Sequence, residues 1–291
     1  INTNGGTISV TSTFNDASAT GAVATVGGNG TSTDVKVNIV GGTASIAAAD
    51  MDATVKATTS GVSLDTSDGK GGFGTVDVKV KARSYASADI IVPSVGISLL
   101  NATLLFTYAT AGGTFAAELG IGNAKESNVG TTTVDDTYSS IATSATGPAG
   151  GVGVSLVDVK VNVSIATASS NVTAALTGVG VLNVNGSLSV TANGSGSATA
   201  EGRTHKVTVT LANVAVNEVQ AYMSVVQKAY IEMDATAASD VHVTGRLKVA
   251  SYLGSADAPV SATATVGSSA GSAPKVINKD ETVPSYSITL L

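Results

Sequence analysis

The 291-residue chain contains no cysteine, which excludes disulfide bonds, thiolate metal sites and cysteine nucleophiles together. Tryptophan is also missing and aromatic residues make up only 4% of the chain, so an aromatic ligand pocket is not expected. Charged residues are scarce at 12%, about half the share usual for a globular protein, which leaves Ser, Thr, Asn and Gly to wet the surface. The charges sum to −6, and a pI near 4.8 offers nucleic acid and anionic lipid no cationic footprint. No signal peptide is visible and the chain opens on Ile1, so a processed N-terminus or an excised piece is expected. Residues 90–117 carry no charged side chain, yet Pro93, Gly96, Asn101, Gly112 and Gly113 interrupt a period-2 alternation there. That pattern excludes a transmembrane helix, and no membrane insertion is expected.

What the chain has in abundance is Val, Ala, Thr, Ser and Gly, with apolar and polar residues alternating almost everywhere. Alternation with period 2, broken by Gly and Asn, predicts strands throughout. The nearest helical candidate is the segment 217–233, where Val219, Met223, Val226 and Tyr230 fall at helical spacing. It is read as strand, because it aligns with strands in three other parts of the chain.

One stretch, GVGVSLVDVKVNVSIATASSNVTAAL from Gly151 to Leu176, carries a break in its alternation. Val152, Val154 and Leu156 share one phase, and Val157, Val159, Val161, Val163 and Ile165 share the other. A one-residue slip exchanges faces unless the backbone turns a corner or takes a bulge. The same slip recurs at Leu99-Leu100, at Ile39-Val40 and at Leu211-Ala212, at offsets of 57, 60 and 55 residues along the chain. A second marker keeps time with it: a glycine two residues before a short alternating strand, at Gly6, Gly74, Gly130, Gly186 and Gly245, spaced by 68, 56, 56 and 59. Residues 1–291 are therefore read as a single continuous β-repeat region with units of about 57 residues, each burying its face on its neighbours.

Two all-β architectures fit this pattern. An elongated parallel β-helix, or solenoid, is favoured: coils of about 20 residues would put three coils in each unit, the slip would be a corner, and runs such as SATAEG and SYASADI would line tight turns. An antiparallel β-sandwich or meander array is the alternative, with Asn185-Gly186 as a type I′ hairpin turn.

These residues carry a family resemblance. The stretch from Gly151 to Leu176, followed by NGSLSVTANGSGSATA, resembles the passenger repeats of large bacterial filamentous adhesins of the filamentous-haemagglutinin-like and leukotoxin-like kind, and is nearest to them from Gly151 to Ala200. The resemblance implies a right-handed β-helix stalk, secretion to the cell surface, and adhesion to a host or neighbouring cell. It transfers no catalytic residue. A structural or adhesive surface segment, not an enzyme, is the expected function; a self-assembling filament or matrix protein and a polysaccharide-active β-helix enzyme are the alternatives.

Chemistry-bearing groups are few. His205 and His242 sit on polar phases of alternating strands, and no Cys or further His completes a metal set. In the loop DTSDGKGGFG, Asp65 and Asp68 lie beside four glycines and would offer oxygen ligands to calcium, the only cofactor the sequence suggests; a polar surface turn is the favoured reading of the loop. Asp50 with Asp52, and Asp135 with Asp136, are read as solvated turns. Asp77, Lys79, Lys81 and Arg83 align on the polar side of one strand. Both chain ends are apolar and strand-like, so self-association head-to-tail, through residues 285–291, or continuation in a longer chain is expected.

Overall fold

A computed structural model describes residues 1–15, 21–26, 36–91, 96–122, 126–147, 151–202, 206–234, 239–254, 260–266 and 275–278. The expected C-terminal joining strand, residues 285–291, lies outside the described residues, as does His205.

The described chain is all β. In order, its strands are β1 (Ile8–Phe14), β2 (Ala22–Val26), β3 (Lys36–Val62), β4 (Val76–Ile91), β5 (Gly96–Ile121), β6 (Ser127–Val129), β7 (Thr132–Gly147) and β8 (Gly151–Gly178). They continue as β9 (Val181–Val184), β10 (Leu188–Gly202), β11 (Lys206–Met233), β12 (Asp240–Val243), β13 (Leu247–Leu253), β14 (Val260–Val266) and β15 (Lys275–Asn278). The helical candidate 217–233 is the second half of β11.

Three sheets collect these strands, and every strand-to-strand ladder among the described residues is parallel. The long strands form one sheet in the order β15-β11-β8-β5-β3, and the shortest form a second, β12-β9-β6. The strands of intermediate length form a third, β1-β4-β7-β10-β13, in which β2 and β14 extend the layers of β1 and β13 against β4 and β10. Successive units therefore place one strand in each sheet. One circuit takes a whole unit of about 57 residues rather than a third of it, because β3, β5, β8 and β11 are 26 to 28 residues long where coils of about 20 would need short strands. Asn185-Gly186 is no hairpin, since it joins β9 to β10 in different sheets.

The ladder registers equal the offsets found in the sequence. Val40 faces Leu100, Leu100 faces Val157 and Val157 faces Ala212; Ile8, Val76, Thr132, Leu188 and Leu247 form one row two residues after the marker glycines. Those glycines stand where one unit's backbone touches the next: Gly130 donates its N–H to the Gly74 carbonyl at 2.9 Å, and a Cβ on Gly130 would lie 2.5 Å from that oxygen.

The slip is a stacked bulge. Ile39, Leu99, Leu156 and Leu211 drop out of their ladders in every unit, while the register on both sides is kept. Two consecutive residues, Leu156 and Val157, are consequently both exposed, and Ser155 and Asp158 on either side are both buried. The apolar set thus stays on one face through the slip, and that face is the outer one.

A second change of phase follows without any bulge. On β8 the inward residues run Asp158, Asn162 and Ser164, then Ala166 and Ala168, then Val172, Ala174 and Leu176. This gradation shapes the interior. Near the short-strand sheet, large residues fill a thick core of Leu64, Val78, Phe115, Leu119, Leu176, Leu182 and Leu188, with Phe115 stacked on Tyr138 at 3.8 Å between ring centroids. Toward the other end the two larger sheets close on alanines, including Ala86, Ala88, Ala109, Ala142, Ala166, Ala168, Ala198 and Ala200. Ser144 zips this thin half: its hydroxyl donates to Thr107 at 2.7 Å and lies 2.9 Å from the Ser164 hydroxyl. The runs SYASADI and SATAEG therefore serve close sheet-to-sheet approach inside β4 and β10, not tight turns.

Candidate functional site

The loop with Asp65 and Asp68 leaves the short-strand face and returns to it. Asp65 bridges Asn2 on one side and Asn128 on the other, extending the β12-β9-β6 ladder by two layers. The resulting outward row is Asn2, Asp65, Asn128, Asn183 and His242. Its side chains bond along the stack: Asn2 Nδ2 donates to Asp65 Oδ2 at 3.2 Å, and Asn183 Nδ2 donates to Asn128 Oδ1 at 3.1 Å. His242 ends the row, 60% exposed, with Nε2 at 3.3 Å from Asp240 Oδ2.

Each loop carboxylate is engaged by its own surroundings. Asp65 Oδ1 accepts from the Ser67 hydroxyl at 2.7 Å and the Ser67 amide at 3.0 Å, and these two bonds hold its pKa below the usual carboxylate value. Asp68 Oδ1 accepts from the amides of Lys70 at 2.7 Å and Gly72 at 2.8 Å, which lower its pKa likewise. Gly69 and Gly71, at φ of 70° and 97°, let the backbone curl around Asp68. These bonds shape the loop without an ion, and calcium would have to compete with amide donors for the same oxygens. No group of three or more His, Cys, Asp or Glu side chains suited to a metal occurs among the described residues.

The remaining charged candidates divide between surface and interior. Asp77 pairs with Lys79 at 2.9 Å, and Arg83 Nε donates to Ser139 Oγ at 3.3 Å, on the outer face of β4. Asp50 and Asp52 are exposed on β3, a strand rather than a turn. Asp135 and Asp136 are also in a strand, β7, and they face opposite ways because strand side chains alternate. Asp135 accepts from Thr191 at 2.8 Å and Asn193 at 3.2 Å on the outer face of the neighbouring β10.

Asp136 is fully buried between the sheets, where the Thr173 amide donates to Oδ2 at 3.1 Å and Oδ1 has no hydrogen-bond partner. Desolvation, reinforced by the charge of Asp135, pushes its pKa up to about 8 against the single lowering bond from Thr173. The signal was present in the sequence, since Asp136 shares its phase with Val134 and Tyr138.

No family model, curated protein or solved structure matches the chain. The second buried carboxylate, Asp158, accepts from Asn101 Nδ2 at 2.9 Å and pairs with Lys160 Nζ at 2.7 Å. Neither Asp136 nor Asp158 opens to solvent, so neither presents a catalytic group to a substrate. The feature that repeats in every unit is the stacking surface itself, together with the row of polar side chains on its narrow face.

Proposed function

We propose that the chain is a structural or adhesive segment of a secreted, cell-surface β-solenoid of the filamentous-adhesin kind, without enzymatic activity. In this reading one circuit of the solenoid is one 57-residue unit, with three faces given by the three sheets. The observation that supports it is the repeated register: the same pairing runs through β3, β5, β8 and β11, with one shift between Thr59 and Val62, and separately through β1, β4, β7, β10 and β13. Such an array adds units without changing its interfaces, and it presents repeated surface where an enzyme needs one concave site. Each unit advances the stack by only about 4.8 Å, so a surface fibre of this design needs many units, joined in one long chain or head-to-tail.

Antibodies raised against the chain test this directly. Applied to unpermeabilised cells that make the protein, they should decorate fibres at the cell surface in electron micrographs. Labelling that appears only after permeabilisation overturns the reading, as does release of sugar from polysaccharide by the purified chain.

A further inference from the structure

The outward face of the long-strand sheet, beyond the thin alanine half, exposes large apolar residues in every unit, on β11 as far as Glu218. Leu211 is 85% exposed, Val40 68%, Ile46 66%, Val214 54% and Leu99 51%. Parallel sheets are ordinarily covered on both faces, and among the described residues this one is covered on its inner face alone. Its charged residues in the middle strand, Asp158 and Lys160, pair with each other on the inner side, so the outer rows of β8 from Val157 to Ile165 are free of charge. We propose that this face pairs with the same face of a second copy of the chain, side by side and face to face. The proposal concerns lateral association and is independent of any axial joining.

Three arguments select a second copy. The first is area: β5 and β8 are apolar on this face over about 36 Å, β3 from Val40 to Ala48 over about 30 Å and β11 from Leu211 to Val216 over about 20 Å, before Glu218, which at about 4.8 Å per strand gives on the order of 600 Å². That is at the top of the range for the largest patch of an ordinary monomer, about 300–600 Å², and lies within reach of the roughly 800 Å² per partner of a standard stable interface. The second is pitch: side-chain rows repeat with the strand spacing in one direction and the pleat in the other. A partner that fills the grooves needs both spacings, which a copy has by construction and a two-fold axis brings into register. The third is charge: a net −6 opposes binding of the chain to an anionic membrane.

The test uses the purified 291-residue chain. At about 50 µM, sedimentation velocity should show a dimer, within the affinity range that interfaces of this size span. The double variant Leu100→Glu, Val214→Glu places carboxylates on adjoining parts of the face and should sediment as a monomer with an unchanged far-ultraviolet circular dichroism spectrum. Because the chain has no cysteine, single-cysteine variants give a second readout that needs no disruption of the face. Leu104→Cys should cross-link to a covalent dimer with a bismaleimide, and Thr133→Cys, on the outer face of the β4-β7-β10 sheet, should not. A monomeric wild-type chain at that concentration overturns the proposal. So does a dimer that survives the double variant, which would mark axial joining, or equal cross-linking at the two cysteine positions. Flotation of the wild-type chain with neutral phosphatidylcholine vesicles would make lipid the occupant and overturn it as well.

Discussion

The buried carboxyl of Asp136 should make stability fall as pH rises. In the folded chain it keeps its proton up to about pH 8, whereas the unfolded chain releases it near the ordinary value of 3.8. Between those two values the folded state therefore binds one more proton than the unfolded state. Stability is full below the unfolded value and declines by about 1.4 kcal/mol per pH unit until the folded value is reached. From pH 4.5 to 7.5 this single site removes about 4 kcal/mol. Asp136→Asn abolishes the titration and keeps an oxygen to accept the Thr173 amide bond. Urea denaturation of both chains at pH 4.5, 6 and 7.5 isolates the site, because every other carboxylate is common to the two. The variant should gain on the wild type by about 4 kcal/mol across that range, with the slope confined to it. A difference that does not change with pH would refute the reasoning, for it would mean that Asp136 is ionised in the folded chain at neutral pH.

Three further outcomes are expected. Gly130→Ala forces a Cβ to 2.5 Å from the Gly74 carbonyl oxygen and should cost about 2–3 kcal/mol, read as a lower urea midpoint. Lys160→Met leaves Asp158 buried without its cation and should destabilise by about 3–5 kcal/mol, whereas the double change Lys160→Met, Asp158→Asn recovers most of the loss. Calcium at millimolar concentration should shift the melting temperature by less than about 1 °C, since amides already occupy oxygens of Asp65 and Asp68; a larger rise, abolished by Asp68→Ala, would establish a calcium site.

Register was the most legible property of this sequence. The offsets that align Leu99-Leu100 with Leu156-Val157, and Gly74 with Gly130, are the hydrogen-bonded partnerships of the folded chain, because a parallel stack repeats its pairing with its sequence period. The length of a circuit was not legible in the same way. A strand of 28 residues such as β8 looks like several short ones joined by corners, since alternation carries no mark of where a sheet ends. Nor is the setting of Asp136 or Asp65 legible in neighbouring letters. Asp135-Asp136 suggests a hydrated turn until the phase of Val134 and Tyr138 is followed through it, and Asp65 belongs to a ladder whose other members lie some 60 residues away in sequence.

The least legible property was which way the faces point, and the reason is physical. Alternation shows that two faces differ, but it assigns the apolar one inward only if the space inside can hold it. Where two sheets draw close enough for Ser144 to hydrogen-bond both Thr107 and Ser164, a valine on the inner phase would overpack, so Ser and Ala take those positions. The large residues of the same strands, Val157, Val159 and Val161 among them, are thereby left to the outer phase. Farther along, where the short-strand sheet props the other two apart, the inner phase takes Val172 and Leu176 and the outer phase turns polar with Asn171 and Thr173. The thin half of the molecule and its apolar outer face thus share one cause: small residues inside permit close sheets, and the β-branched residues that keep those strands extended have only the outside on which to lie.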